Sequence, residues 1–334
     1  MSFQELDGER TRRLIDAEQR YSTYRDALRK LHQSYRGSMR WKRVKDGDYL
    51  YHTVDKIAKS LGPRTAETEK MESAFNDGRR RLRARRDTLL AKIETEARVD
   101  RAMGLGRAPA RVANILRRLD RNGLLGKGIS VVGTNAIYAY ERLGGGYFSS
   151  DLLATGDIDL LFDGRRRLRL IGPAQKVDGL AGLLRKVDAS FEVVAPGAFR
   201  AANDEGFMVD LIQPMQAAAG DIRAALGDRD DLQAAEVHGL AWLQNVPQVE
   251  RIILDERAMP FVISAPDPRA FALHKLWLSE RSDRDPAKAR RDYEQARLVA
   301  MIVDRYLVDR NFDDPALLGI PAALRARAAE LLGK

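Results

Sequence analysis

The chain has 334 residues, of which 44% are apolar, so it is long enough for two or three domains with filled cores. This composition excludes a disordered chain and a disulfide-stapled miniprotein, and the absence of cysteine excludes disulfides, thiolate zinc sites and a cysteine nucleophile. The first residues lack the basic-then-apolar pattern of a signal peptide, and no apolar run approaches the roughly 20 residues that span a bilayer. We therefore expect a cytoplasmic protein without a membrane partner.

The positive charge of the chain is concentrated towards its N-terminus. The net charge is +9, yet residues 1–130 hold 31 Lys and Arg against 18 Asp and Glu, and the remaining residues hold 26 against 30. Such asymmetry predicts contact with RNA or another nucleic acid, and a solvated helix face is the alternative. The densest cluster, called the arginine row below, consists of Arg79, Arg80, Arg81, Arg83, Arg85 and Arg86.

Two amphipathic helices with an insertion between them are predicted before residue 104. Apolar side chains recur at spacings of three and four in residues 14–35 and again in residues 71–93, as in helices that pack along a partner. The intervening residues, about 39–62, change to short apolar runs around the turn signal Asp46-Gly47 and predict two or three strands. A small basic sheet followed by a helix resembles the arm-binding domains of tyrosine recombinases, and a hairpin that only packs is the alternative.

A strand, a glycine turn and a helix are predicted next, after one short helix near residues 112–119. The letters ISVVGTNAIYAYERL give an apolar strand Ile129–Val132, the turn Gly133-Thr134 and a helix whose first backbone N–H groups can face an anion. The nearby glycines match neither a Walker P-loop nor a G-x-G-x-x-G fingerprint. The pattern therefore indicates a phosphate-positioning turn of another kind.

Two carboxylates, Asp157 and Asp159, lie one residue apart in the apolar stretch TGDIDLLFD. In a strand, successive side chains alternate between faces, so both carboxylates share a face with their Cβ atoms roughly 6.6 Å apart. That separation lets both lean onto one cation. An EF-hand loop is excluded, because Phe162 and Leu168 stand where its glycine and final glutamate are needed. The alternative is a turn followed by a solvent-facing strand residue.

A third acid, Asp210, lies in the apolar strand predicted from GFMVDLIQP. A buried unpaired carboxylate is costly, so Asp210 either reaches solvent or joins Asp157 and Asp159 at a cation. Another strand is predicted from FEVVA. An amphipathic helix is expected between these strands and TGDIDLLFD, with an apolar face made of Val177, Leu180, Leu183, Leu184 and Val187.

The order of these motifs resembles the DNA polymerase beta-like nucleotidyltransferase superfamily, whose signature is a glycine turn, a D-x-D strand and a third acid on a neighbouring strand. The chain also resembles a bacterial family of largely uncharacterised nucleotidyltransferase-fold proteins through SLGPRTAETE, VVGTNAIYAYE, LLATGDIDLL and HKLW. Thr134 departs from the commoner Ser or Gly. In addition, 22 residues separate Thr134 from Asp157, so an insertion from Gly144 to Thr155 must fold beside the nucleotide site.

The resemblance implies a transfer reaction that uses a nucleoside triphosphate (NTP) such as ATP together with Mg²⁺ or Mn²⁺. It implies that Asp157 and Asp159 hold the metals that carry the triphosphate, while Asp210 completes the second metal site and helps to deprotonate an acceptor hydroxyl. It also implies that the Gly133 backbone approaches the phosphates and that the Thr134 hydroxyl donates to them.

The segment PDPRAFALHKLWLSERSDRDPAKARRDYEQA is similar to the K…R…K-x-R-D segment of abortive-infection-type nucleotidyltransferase toxins. The similarity implies that Lys275 contacts the triphosphate, that Arg281 and Lys288 follow, and that Asp292 orients one of these cations. Ordinary surface charges on a helical domain are the alternative. We expect His274 to be a packed histidine, since no second histidine lies at metal-ligand spacing.

Together these patterns predict an α+β protein with a mixed sheet of the nucleotidyltransferase type. Its parts are a basic helical hairpin with a small β insertion (residues 1–125), a catalytic core (126–215) and a mostly helical domain (216–334). The predicted function is transfer of a nucleoside monophosphate from an NTP to a hydroxyl of RNA or protein, in the manner of a toxin with an antitoxin partner. The alternative is a non-catalytic nucleic-acid-binding protein that retains the fold, and the presence of all three acids favours the enzyme.

Overall fold

The computed structural model of the protein describes residues 3–166, 179–215 and 231–333. Its helices are α1 (Gly8–Ser34), α2 (Ala66–Ala102), α3 (Ala110–Arg121), α4 (Ile137–Gly144), α5 (Leu180–Arg185), α6 (Leu240–Gln244), α7 (Pro268–Ser279), α8 (Pro286–Tyr306), α9 (Ala322–Ala326) and α10 (Ala328–Leu331). Its strands are β1 (Gln4–Glu5), β2 (Ser38–Val44), β3 (Gly47–Val54), β4 (Ile57–Pro63), β5 (Ile129–Val132), β6 (Gly146–Tyr147), β7 (Asp157–Phe162), β8 (Glu192–Val193), β9 (Arg200–Ala202), β10 (Met208–Pro214), β11 (Ala235–Val237), β12 (Gln248–Leu254) and β13 (Pro260–Pro266).

The chain divides into two compact units. The first unit comprises Met1–Thr11, Gly106–Glu256 and Phe261–Lys334, and the second comprises Arg12–Leu105 with Arg257–Pro260. The division into three domains at residues 125 and 215 stays a prediction, and residues 216–230, which follow the later of these boundaries, lie outside the described residues.

The second unit is the predicted helical hairpin with a three-stranded insertion. Arg13 near the start of α1 donates to Asp100 near the end of α2 at 2.5 Å, which makes the two helices antiparallel. The strands pair antiparallel in the order β2, β3, β4, and Leu50 at the centre of the sheet is fully buried. A capping box between Thr65 and Thr68 then begins α2. The predicted helices and short strands are thereby confirmed.

The main sheet of the first unit is mixed. Its strand order is β5, β7, β10, β9, β8, with β11 paired to β10. The pairs of β10 with β7 and with β11 are parallel, and the remaining pairs are antiparallel. Residues 158 and 160–162 of β7 are buried, as expected for a strand with cover on both faces. The predicted α+β class with a mixed sheet is confirmed.

The local predictions around this sheet differ from the structure in detail. The short helix expected near residues 112–119 is α3, and the strand expected from GFMVDLIQP is β10. FEVVA forms only the two-residue strand β8, in which Glu192 and Val193 pair with Ala202 and Ala201 of β9. The helix expected from Val177 onwards is described only as α5, since Val177 lies outside the described residues.

Two long helices form the main C-terminal packing of the first unit. Both α7 and α8 begin with an aspartate N-cap followed by proline, and they pack along each other. Tyr140 of α4 packs its ring 5.0 Å from that of Phe271 on α7. The hairpin β12–β13, which was not predicted from the sequence, also belongs to this part of the chain. None of the helices in the described ranges is long and apolar enough to cross a membrane.

Candidate active site

The three predicted acids lie on the paired strands β7 and β10. These strands are parallel, and their register places Asp159 opposite Asp210 and Asp157 opposite Met208. Paired residues of neighbouring strands point to the same face, and residues two apart in one strand share a face, so all three carboxylates lie on one side of the sheet. Asp157 and Asp159 are half-buried, whereas Asp210 is buried. The register thus brings together acids that are 51 residues apart in the sequence.

The glycine turn after β5 lies directly against Asp159. Gly133 has φ of +62° and ψ of −158°, a combination that is essentially restricted to glycine. A Cβ atom on Gly133 would overlap the Asp159 carboxylate, so the close approach also requires glycine. β5 pairs with β7 so that Val132 lies opposite Asp159, which holds the turn beside the acid. The predicted helix after this turn begins as a 3₁₀ turn, Thr134–Ala136, before α4.

The Asp159 carboxylate lies in an environment that opposes its negative charge. Burial of the carboxylate and the charge of Asp157 raise the pKa of Asp159 to about 6, and the charge of Asp210 acts in the same direction. Lys275 and Arg284 oppose this shift. Burial and the neighbouring acids therefore disfavour the charged form of Asp159, and a cation bound beside it would offset this effect.

Two polar side chains fix Asp157. The Thr155 hydroxyl donates a hydrogen bond to Asp157 Oδ1. Asn135 Nδ2, from the 3₁₀ turn, donates to the Asp157 backbone carbonyl at 2.8 Å. These contacts attach the start of β7 to the glycine turn, so the first acid and the turn are positioned together.

Asp210 is paired with an arginine on the neighbouring strand. Arg200 of β9 lies opposite Asp210 in the antiparallel register and donates to both carboxylate oxygens, at 2.7 and 2.6 Å. This bidentate geometry is the strong form of an arginine–carboxylate contact. Asp210 therefore does not stand as an unpaired buried acid, and Arg200 is a site residue that the sequence did not predict.

The predicted basic residue Lys275 lies near Asp159 and is buried. Its Nζ donates to Asp292 Oδ1 of α8 at 2.6 Å. Burial lowers the pKa of Lys275, and the negative charges of Asp292 and Asp159 oppose this shift. Arg284 donates to the other oxygen of Asp292 at 2.8 Å, so Asp292 orients two cations. Arg284 was not among the predicted residues, although it lies in the segment that was compared with the toxins.

The other predicted basic residues take different positions. Arg281 forms a bidentate pair with Asp283, and its guanidinium lies 4.9 Å from the Trp277 ring centroid. Lys288 is exposed on the first turn of α8, where its backbone N–H donates to the N-cap Asp285 at 3.0 Å. Neither contact joins these residues to the three acids, so their role at the triphosphate stays a prediction.

His274 is packed among aromatic rings, in line with the expected packing histidine. Its ring lies 5.7 Å from Trp277 and 6.3 Å from Trp242 by centroid distance. Burial, followed by the charge of Lys275, lowers its pKa to about 3, so the imidazole is neutral at physiological pH. The structure places it with the core and not with the acids.

Thr134 is held by a helix that lies far away in the sequence. Gln295 of α8 is fully buried, and its Nε2 donates to Thr134 Oγ1 at 3.2 Å and to the Leu152 carbonyl at 2.9 Å. Gln295 therefore ties the glycine turn and the insertion Gly144–Thr155 to α8. Sequence spacing carries no sign of this contact, because the two partners are 161 residues apart.

The arginine row lies on α2 in the second unit. Arg80 pairs with Asp77 at 2.6 Å and Arg86 pairs with Asp87 at 2.6 Å, while Arg81, Arg83 and Arg85 are exposed. Arg79 is half-buried, and this burial, together with the charges of Arg83 and Arg40, lowers its pKa. The row is therefore partly neutralised, and Arg79, Arg81, Arg83 and Arg85 form no ion pair with a described residue.

The carboxylates of the candidate site can be compared with the ligands that a metal ion requires. Within residues 3–166, 179–215 and 231–333, no group of three His, Cys, Asp or Glu side chains is placed to hold one ion. Both oxygens of Asp210 accept from Arg200 instead. Mg²⁺, however, is commonly held by one or two carboxylates together with water and substrate phosphates. Asp157 and Asp159 fit that requirement, and the raised pKa of Asp159 means that a cation beside it would favour the ionised carboxylate.

Comparison with known proteins agrees with this geometry. The family model described as Nucleotidyltransferase matches residues 110–317, a range that contains the glycine turn, the three acids and the Lys275–Asp292 pair. No curated protein and no solved structure gives a significant match. The match covers more than half of the chain. The chain therefore belongs to this nucleotidyltransferase family.

Proposed function

We propose that the protein transfers a nucleoside monophosphate from an NTP to a hydroxyl group of RNA or protein, with a divalent cation at Asp157 and Asp159. The observation that carries this proposal is the position of Asp159, which lies against the Gly133 turn with Asp157 and Asp210 on the same face. Such a concentration of negative charge destabilises the free protein unless a bound cation neutralises it. A cation bound there would neutralise the charge that develops on the transferred phosphoryl group.

The residues around the acids suit a triphosphate. Lys275 and Arg284 supply positive charge near Asp159, and Asp292 holds both cations in place. Phosphate groups carry the complementary charge, and oriented cations bind them with little further ordering. We assign Lys275 and Arg284 to the triphosphate. We propose Arg281 and Lys288 as further triphosphate contacts.

The reaction is an in-line displacement at phosphorus. The acceptor oxygen forms a bond to the α-phosphorus, the bond from that phosphorus to the oxygen bridging it to the β-phosphate breaks, and pyrophosphate leaves. The acceptor proton passes to a carboxylate, for which Asp210 is our candidate. Both oxygens of Asp210 accept from Arg200 in the free protein, so Arg200 releases one of them before the proton is taken.

The acceptor and the biological setting belong to the same proposal. The arginine row favours RNA as the acceptor, because six arginines on one helix attract a polyanion. We retain a toxin role with an antitoxin partner, which rests only on the resemblance of residues 266–296 to the abortive-infection-type toxins. The second candidate is a non-catalytic nucleic-acid-binding protein, favoured by the Arg200 contact that occupies the third acid.

Label transfer tests the proposal. The protein is incubated with each α-labelled NTP, with Mg²⁺, Mn²⁺ or a chelator, and with cellular RNA or lysate protein. We expect the wild type to label one macromolecule only when the metal is present. Asp159→Asn should abolish labelling because it removes a charge that holds the cation, with a loss of at least about 100-fold.

The matched control is Asp309→Asn, which makes the same chemical change at an exposed position of the C-terminal segment. It should label like the wild type. Thermal unfolding with and without Mg²⁺ and NTP supplies a second measurement, since a ligand that binds the folded state raises the unfolding temperature. A wild type that neither labels nor responds to Mg²⁺ and NTP would favour the non-catalytic protein.

A further inference from the structure

The small sheet in the second unit packs one face against helix α2 and leaves its other face accessible. Along β3, Leu50 is fully buried and His52 lies 5.5 Å from the Phe75 ring of α2, so these side chains point towards the helix. Side chains alternate along a strand, which places Tyr49 and Tyr51 on the other face. Both tyrosines are half-buried and keep part of their rings accessible.

The neighbouring strand adds positive charge to the same face. In the antiparallel register, Arg40 lies opposite Tyr51 and Lys42 lies opposite Tyr49. Both cations are exposed, and Lys42 Nζ lies 5.7 Å from the Tyr51 ring centroid. Strands β2, β3 and β4 are described in full, and by alternation they place no carboxylate on this face, which we call the tyrosine face.

The tyrosine face is continuous in charge with the arginine row. Burial lowers the pKa of Arg79 of α2, and the charges of Arg83 and Arg40 act in the same direction, so both lie within electrostatic range of Arg79. Arg79 is therefore repelled by Arg83 and by Arg40, and none of these three arginines forms an ion pair with a described residue. Mutual repulsion of this kind is relieved when a polyanion binds.

We propose that the tyrosine face, with Arg79 and Arg83 beside it, binds single-stranded RNA by stacking bases on Tyr49 and Tyr51 while Arg40, Lys42 and the arginines contact phosphates. Aromatic rings interleaved with cations on an open sheet are the features that bind single strands, since unpaired bases offer faces for stacking. Lys42 Nζ lies over the Tyr51 ring in the free protein, so a base that stacks there would displace this cation, which could then contact a phosphate. This surface lies wholly in the second unit and does not depend on the proposed transfer reaction.

Binding of a labelled oligouridylate of about 20 nucleotides, measured by fluorescence anisotropy without nucleotide or metal, tests the proposal. Tyr51→Leu keeps an apolar side chain but removes the stacking ring, and should weaken binding about 10-fold. Tyr51→Phe keeps the ring and should stay within about twofold of the wild type. Because this assay contains neither nucleotide nor metal, a failure of the transfer proposal would not be confused with a failure here.

The salt dependence of RNA affinity shows whether the cations of the tyrosine face contact phosphates or whether any positive charge on the protein has the same effect. Arg40→Ser with Lys42→Ser should lower the slope of log affinity against log salt by about 1.4, at roughly 0.7 per phosphate contact of a single strand. The control pair, Lys92→Ser with Arg98→Ser, removes the same charge from exposed positions elsewhere on α2. It should leave the slope near that of the wild type.

Three results would overturn the proposal. The first is the absence of binding at about 50 mM salt, where phosphate contacts are strong. The second is equal weakening by the control pair and by the Arg40 and Lys42 pair. The third is tighter binding of a duplex of matched length with no effect of Tyr51→Leu, which would indicate backbone recognition without stacking. Unfolding midpoints of all variants verify that the sheet remains folded.

Discussion

At the scale of single residues, the site depends on Gly133. Its backbone conformation is one that other residues rarely adopt, and its missing side chain leaves space for the Asp159 carboxylate. Burial and the neighbouring acids in turn raise the pKa of Asp159. One hydrogen atom in place of a side chain thus allows the turn and the acid to occupy adjacent positions.

Gly133→Ala should both destabilise the protein and impair the site. The added Cβ meets the Asp159 carboxylate and is strained at φ of +62°, so we expect a loss of about 2–4 kcal/mol in unfolding free energy. Urea denaturation measures this loss. The control is Gly145→Ala, where φ is +70° but nothing lies within 4 Å of the new atom, and about 1 kcal/mol should be lost. Equal losses would show that the Asp159 contact has no energetic weight.

His274 should make stability depend on pH on the acid side of neutrality. Its pKa is about 3 in the folded protein against 6.5 in the unfolded chain, so the unfolded chain takes up the proton first. The contribution to stability is therefore complete above pH 6.5 and is lost as the pH falls towards 3. The loss approaches about 1.4 kcal/mol per pH unit once the pH is about one unit or more below 6.5.

Urea denaturation between pH 7 and pH 5 measures this dependence. His274→Phe keeps an aromatic ring among Trp242 and Trp277 but removes the titration, and should flatten the slope. His238→Phe changes an exposed histidine and serves as the control. If both variants keep the wild-type slope, other groups are responsible for it.

At the scale of elements, helices α7 and α8 are joined by a buried charge cluster. Asp292 accepts from Lys275 and from Arg284, and both Lys275 and Asp292 are almost fully inaccessible to water. Removing one partner of such a pair leaves a buried charge, whereas replacing both by apolar side chains is often tolerated. The contribution of this cluster to stability can therefore be measured separately from its contribution to NTP binding.

Asp292→Asn should cost about 3–5 kcal/mol of unfolding free energy, because the buried Lys275 loses its ionised partner. The double variant Lys275→Met with Asp292→Leu should recover most of that loss, since Arg284 can turn to solvent. Denaturation of the single and double variants measures the recovery. NTP binding by the stable double variant should still fail if Lys275 contacts the triphosphate, and unchanged binding would remove Lys275 from the site.

The elements and the contacts between them differ in how far the sequence predicts them. The β7 and β10 acids and the Gly133 turn follow from local patterns, because alternation and glycine signals involve neighbouring residues. Arg200, Arg284 and Gln295 were missed, since their roles depend on strand register or on helix packing. Gln295 reads as an ordinary polar residue of an amphipathic helix until α8 is placed against the glycine turn.

At the scale of the whole molecule, the densest positive charge and the candidate active site lie in different units. The arginine row and the tyrosine face belong to the second unit, and the three acids with Lys275 belong to the first. The asymmetry of charge was predicted from composition, because it requires only counting along the chain. The face on which that charge meets aromatic rings was not, because it depends on the register of β2 with β3.

Helix α8 contacts two parts of the candidate site at once. Asp292 and Gln295 lie three residues apart, on neighbouring positions of one helical face, and they hold Lys275 and Thr134 respectively. A slide of α8 along its axis would thus displace the basic side chain and the glycine turn together. Substitutions along the buried side of α8 that shift this helix should therefore change the Lys275–Asp292 contact and the Thr134–Gln295 contact together. Neither contact can move without the other.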